Sequence, residues 1–159
     1  MENEENIIRF LSNQIIDTNE KKIKKKKRVF FDKRNWNQCS VSHFNGQTLD
    51  QLKAIAQCFD NDHSKFRAFA ILNKEMILKS GSIITTDPVE KCEFNSHANI
   101  EYIQFNLEKD DHFPPELDLL LEKMQKEAKY LIDESLDEPI FTGKEYKIDP
   151  ADQKSRTLI

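Results

Sequence analysis

The sequence predicts an α+β domain, a mostly antiparallel sheet of five or six short strands with about three helices packed on it. Three observations carry that expectation. Short apolar runs recur between turn-forming residues, at 29–31, 39–44, 66–72, 76–78, 83–86 and 100–107. Apolar residues at helical spacing flank and interrupt those runs. A chain of 159 residues that is 38% hydrophobic is also large enough to bury one core.

Ile7, Ile8, Leu11 and Ile15, with Phe10 beside them, predict an amphipathic helix over about residues 4–16, whose acidic first turn suits the helix dipole. The lysine-rich stretch that follows has neither a two-fold nor a 3.6-fold pattern and reads as a linker or a frayed, solvated extension of that helix. Val29-Phe30-Phe31 reads as a short strand entering the core, and Cys39 to Phe44 alternates as a second. Asn45-Gly46 signals a turn. Thr48 followed three residues on by Gln51 is a capping box that opens a helix over 48–60, with Leu52, Ile55, Ala56 and Phe59 on one face.

Phe66 to Leu72, Met76 to Leu78 and Ile83 to Thr86 read as a meander of strands separated by Asn73-Lys74-Glu75 and Ser80-Gly81. Asp87-Pro88 breaks it. A polar excursion then runs to about Asn99, and Ile100 to Leu107 forms the final strand. Pro114-Pro115 starts the strongest helical stripe of the chain, Leu117, Leu120, Leu121, Met124, Ala128, Leu131 and Ile132, predicting a helix over 115–133. The division expected is a helical segment at 1–20, a basic arm at 21–28, a core at 29–135 and a tail at 136–159.

Charge is distributed unevenly. Nine of the 24 basic residues, Lys21, Lys22, Lys24, Lys25, Lys26, Lys27, Arg28, Lys33 and Arg34, fall between residues 21 and 34, where Asp32 is the one acid. The chain as a whole is −4, so the remainder carries about −12. These nine residues, with Trp36 as an exposed stacking ring, are the expected partner- or phosphate-binding set. The lysine run also has the composition of a nuclear import signal. From Glu101 onward acids outnumber bases fifteen to eight, so the arm could instead dock on its own body.

Other chemistry is sparse. Three glycines exclude a phosphate-cradling loop or a dinucleotide fingerprint. Each cysteine has a histidine four or five residues downstream, Cys39 with His43, Cys58 with His63 and Cys92 with His97. That spacing offers a zinc site or a thiol nucleophile with a general base, yet Cys39 and His43 on one strand would stand roughly 13 Å apart, and no Cys-x-x-Cys knuckle anchors a pair. Glu145-Tyr146-Lys147, with Asp133 or Asp137 upstream, has the carboxylate-x-lysine form of metal-dependent nucleases but lacks the scaffold behind it. Leu117 to Leu121 and the terminal Thr157-Leu158-Ile159 have the form of short peptide ligands.

The odd cysteine count, an acidic N-terminus and the absence of a long apolar run predict reduced thiols in a cytoplasmic or nuclear protein without a membrane span. No cofactor or metal is expected. The favoured function is a non-enzymatic protein-interaction module, such as an adaptor, an inhibitor or immunity-type protein, or a subunit of a larger assembly, with another protein as partner. The alternatives are a nucleic-acid-associated protein using the arm, and a Cys/His enzyme or structural zinc protein.

Overall fold

The computed structural model describes residues 5–24, 28–32, 38–105, 114–146 and 148. Its elements run β1 (Asn6–Ser12), β2 (Ile16–Asp17), β3 (Lys22–Ile23), β4 (Gln38–His43), α1 (Leu49–Cys58), β5 (Phe66–Asn73), α2 (Lys74–Lys79), β6 (Ile83–Thr86), β7 (His97–Glu101), α3 (Pro115–Glu127), β8 (Lys129–Ile132) and β9 (Lys144–Tyr146). Seven strands form one antiparallel sheet in the order β6-β7-β4-β1-β5-β8-β9, and β2 and β3 make a separate hairpin. The α+β class is as the sequence predicts. No described helix is long and apolar enough to cross a membrane.

The first predicted helix is a strand. β1 lies at the centre of the sheet between β4 and β5, so both its faces are buried. Ile7 and Leu11 join the core on the α3 side, while Ile8 joins the core on the α1 side. A strand buried on both faces has no reason to alternate, and Ile7 and Leu11, four apart, satisfy strand and helix spacing equally. Arg9 stays in this strand because its Nε donates to Val29 O at 3.0 Å and its Nη1 to Ser40 O at 2.7 Å.

Three other segments depart from expectation. Met76 to Leu78 belongs to α2, where the Asn73 side chain caps the Glu75 N–H at 2.7 Å and Lys79 pairs with Glu75 one turn away at 3.3 Å. The last helix ends at Glu127, and residues beyond extended Ala128 turn into β8, where pairing with β5 sends Tyr130 and Ile132 to one core and Leu131 to the other. The expected final strand is displaced: β7 starts at His97, Ile103–Phe105 is a single 3-10 turn, and Leu107 lies outside the described residues.

Two features were expected as strand or tail. Val29 and Phe30 are buried but belong to no ladder. Side chains hold them instead: Val29 N donates to Gln125 Oε1 at 3.0 Å, and the Tyr102 hydroxyl donates to Phe30 O. In the expected tail, β9 pairs with β8 and Ile148 is buried.

α1 forms as its sequence dictates. Thr48 Oγ1 accepts from Gln51 N at 3.1 Å and Gln51 Oε1 accepts from Thr48 N at 2.9 Å, the reciprocal capping box. The helix lays Leu52 and Ala56 on Ile8, Phe66 and Phe69, and burying Leu52 alone contributes about 2 kcal/mol. Its last residue, Cys58, is disulfide-bonded to Cys92 in the β6–β7 connection, 34 residues away. That bridge overturns the expectation of three reduced thiols and does not fit a cytoplasmic protein well.

Candidate functional site

The lysine-rich stretch is docked at both ends. Ile23 is buried in β3, and Lys24 N donates to Ile15 O at 2.8 Å. Arg28 turns inward, its side chain only 8% exposed, and pairs with Asp118 on α3. Its guanidinium pKa is lowered by burial and partly restored by Asp118 and Glu122. Lys21 lies 5.1 Å from the Tyr146 ring, and Lys22 pairs with Glu20 at 3.6 Å. Lys25, Lys26, Lys27, Lys33, Arg34 and Trp36 lie outside the described residues. The internal docking that the charge pattern allowed is therefore present at Arg28.

The cysteine and histidine pairs separate. Cys58 and Cys92 meet each other, not their histidines. Cys39 is fully buried, and burial pushes its thiol up to about 11, far from the thiolate a nucleophile needs. Among the described residues no three His, Cys, Asp or Glu side chains gather in a metal-binding group. The nuclease-like residues also stay apart: Asp133 is buried against Lys53 at 3.1 Å, and exposed Glu145 pairs with Lys129 at 3.7 Å on the β9 edge.

Lys53 and Asp133 make a latch. Lys53, 1% exposed, donates to Glu138 O at 2.8 Å and Ser135 Oγ at 3.1 Å, and the Ser135 hydroxyl donates to Asp133 Oδ1 at 2.8 Å. Asp133 Oδ2 faces the ammonium without a well-aligned hydrogen bond. These contacts satisfy the ammonium fully and tie the segment after β8 to α1. The role is structural.

A different polar group is assembled by strand register. Ser40 stands opposite Asn99 and Ser42 opposite His97 across β4 and β7, while Thr85 on β6 stands opposite Asn99 from the other side. These side chains share the sheet face on which α1 packs, but they lie on the β6-β7-β4 half, beyond the part that Leu52 and Ala56 cover. Ser40 Oγ lies 2.7 Å from His97 Nε2, and His97 Nδ1 lies 2.6 Å from Asp87 O. A carbonyl can only accept, so Nδ1 carries the proton; in the neutral ring Nε2 is then the acceptor and Ser40 the donor. Asp87 Oδ2 stands 3.8 Å from Nδ1 and accepts from Asn99 Nδ2 at 3.1 Å.

No family model, curated protein or solved structure matches this chain. The β6–β7 connection that supplies Asp87 is pinned by the disulfide and by Phe94, whose ring stacks on Phe10 at 5.4 Å and meets the His97 ring edge-on at 5.1 Å, and it holds left-handed backbone at Cys92 (φ 63°) and Glu93 (φ 51°). Left-handed backbone at residues with side chains costs energy, and so it persists only where surrounding contacts over-determine it.

Sequence reasoning selected His97 only as a partner for Cys92 and passed over Ser40, Asp87 and Asn99. One signal was available. Ser40 and Ser42, and His97 and Asn99, hold matching alternate positions on two strands whose intervening residues Cys39, Val41, Ala98 and Ile100 are all core. His97, Asn99 and Ser42 are nonetheless buried. A polar face that is buried, where the alternation promises solvent, marks a built network.

Proposed function

We propose that the chain is a protein-interaction module that takes up an extended segment of a partner protein along β6. The observation that carries this reading is the contrast between the two edges of the sheet. β9 is guarded by charge, with Lys144 paired to Glu134 at 3.8 Å and Glu145 to Lys129 at 3.7 Å. β6, Ile83-Ile84-Thr85-Thr86, carries no charge and no proline, pairs only with β7 among the described residues, and exposes Ile83, Thr85 and Thr86. Proteins normally blunt an edge of this kind, because its free N–H and C=O groups template another strand.

The outward groups can be assigned. Asp87 N donates to His97 O at 2.9 Å, which puts alternate residues Thr85 and Ile83 in bonding register with Asn99 and Glu101. Ile84 and Thr86 therefore direct their N–H and C=O groups away from β7. The acidic body favours a partner with basic residues around the docked segment, chiefly through a faster association rate. The disulfide supports a site of action in an oxidising compartment. A nucleic-acid role has less support, because Arg28 is committed to Asp118.

The test compares the two edges. Thr86→Pro removes an outward donor without breaking a bond to β7, and Ile83→Lys adds an edge charge at an exposed position. A partner captured from the source organism by the wild-type protein and by a Glu145→Lys control, but lost from both β6 variants, supports the reading. Undiminished capture by the β6 variants removes it.

A further inference from the structure

We infer that Ser40 and His97 form a nucleophile and general-base pair able to open uncharged carboxylic esters, an activity separate from docking at β6. The geometry is that of an activated hydroxyl. Ser40 Oγ is 2.7 Å from Nε2, and the proton on Nδ1 is fixed by the Asp87 carbonyl at 2.6 Å, leaving the Nε2 lone pair directed at the serine. The Asp87 carboxylate, held by Asn99, stands where it can stabilise the imidazolium that forms when the ring takes the serine proton.

Accessibility suits the assignment. His97 is 8% exposed and so is held rigidly, Ser40 is half-buried, and Asp87 is open to solvent. The pair also lies on the face whose other half is apolar. On the other half of the same face, positions of the same parity hold Ile8, Phe10 and Phe69, which pack in the core around α1. Filling this half with Ser40, Ser42, His97 and Asn99 forgoes that apolar contribution, and the Asp87 N–H bond to His97 O at 2.9 Å, continuing the β6–β7 ladder, holds Asp87 beside the histidine.

Electrostatics select the substrate. The Asp87 carboxylate stands 3.8 Å from His97 Nδ1, so a phosphate ester or other anion would be repelled. Among uncharged acyl groups, an ester leaves more readily than an amide. In the step proposed, Ser40 Oγ bonds to the ester carbonyl carbon while its proton passes to Nε2. The alcohol then departs with that proton, and water, deprotonated by the same nitrogen, releases the acid and restores Ser40.

The experiment uses the intact, oxidised chain with two probes, a fluorophosphonate, whose fluoride leaves as the Ser40 oxygen bonds to phosphorus, and p-nitrophenyl acetate. Peptide mapping should place the phosphonyl adduct on Ser40, with neither Ser42 nor Ser96 modified, in the native protein and not in urea. Ser40→Ala should lose both adduct and ester turnover, and His97→Gln should slow both by about 100-fold. Ile83→Lys should leave both unchanged, which separates this activity from the docking reading. No adduct on Ser40 of the native wild-type chain, an adduct formed equally in urea, or ester turnover that survives Ser40→Ala would each overturn it.

Discussion

One face of the sheet is built in two ways. Its β1-β5-β8 half carries Ile8, Phe10, Phe69 and Leu131 and is sealed by Leu52 and Ala56 of α1. Its β6-β7-β4 half carries Ser40, Ser42, His97, Asn99 and Thr85, with side-chain hydrogen bonds joining Ser40 to His97, Ser42 to Ser96 and Asn99 to Asp87. Strand alternation is the same in both, so the difference lies wholly in side-chain chemistry. The apolar half gains stability in proportion to area removed from water. The polar half gains little net energy but fixes its groups in position, because each buried donor or acceptor must keep its partner.

The sharpest way to break the comparison is to place an unpaired charge in the sealed half. Lys53→Ala leaves the Asp133 carboxylate buried without its cation, and about 3–5 kcal/mol of stability should be lost in urea unfolding. The double variant Lys53→Met/Asp133→Leu should be more stable than Lys53→Ala, since an apolar pair carries no desolvation cost. If Lys53→Ala costs less than about 1 kcal/mol, the latch is not what holds the segment after β8.

The disulfide joins the two halves, running from the end of α1 to the loop over the polar network. Closing a loop of 34 residues reduces the freedom of the unfolded chain, and its removal should cost about 3–4 kcal/mol by the chain-entropy relation. Cys58→Ser/Cys92→Ser should also raise hydrogen exchange in residues 87–97 more than in α1 or β5. Equal protection throughout would show that Phe94 and the hydrogen bonds of His97 hold the loop without the bridge.

Local signals were legible and long-range ones were not. The Thr48–Gln51 box, β4, β5 and β6 follow from neighbours a few residues apart, and the structure has them close to where the sequence puts them. β1 and β8 were obscured because their spacing fits both periods, and only pairing with β5 decides between them. The Cys58–Cys92 bridge and the Ser40–His97–Asp87 group join residues 34, 57 and 10 positions apart, which no linear pattern encodes. The lysine run was conspicuous because it is local. Its inward-facing member, Arg28, is identified only by Asp118 ninety residues on.

A smaller effect tests the helix that seals the apolar half. Thr48→Ala removes the N-cap acceptor of Gln51 N and should destabilise by about 1 kcal/mol, with Thr48→Ser restoring most of it. Because the cap lies on α1 and touches nothing in the polar network, ester turnover at Ser40 should be unaffected. A matching loss of turnover would mean that the two halves are coupled through α1 and the disulfide.

The smallest effect belongs to the polar half. His43 Nε2 meets Thr86 Oγ1 at 2.8 Å, clasping β4 to the edge strand β6. Burial, and after it the charge of Lys74, lowers its pKa below the ordinary value of 6.5. Between that lowered value and 6.5 the unfolded chain binds more protons at this residue than the folded one, so acid favours unfolding. The contribution is therefore neutral above 6.5 and becomes a growing loss of stability as the pH falls below it. Subtracting the melting temperature of His43→Gln from that of wild type at pH 7.5 and again at pH 5.5 isolates the residue from the carboxylates, which both proteins share. The difference should move against wild type at the lower pH. If it does not, protonated His43 finds an anionic or carbonyl partner at the β6 edge, and the polar half accommodates charge as well.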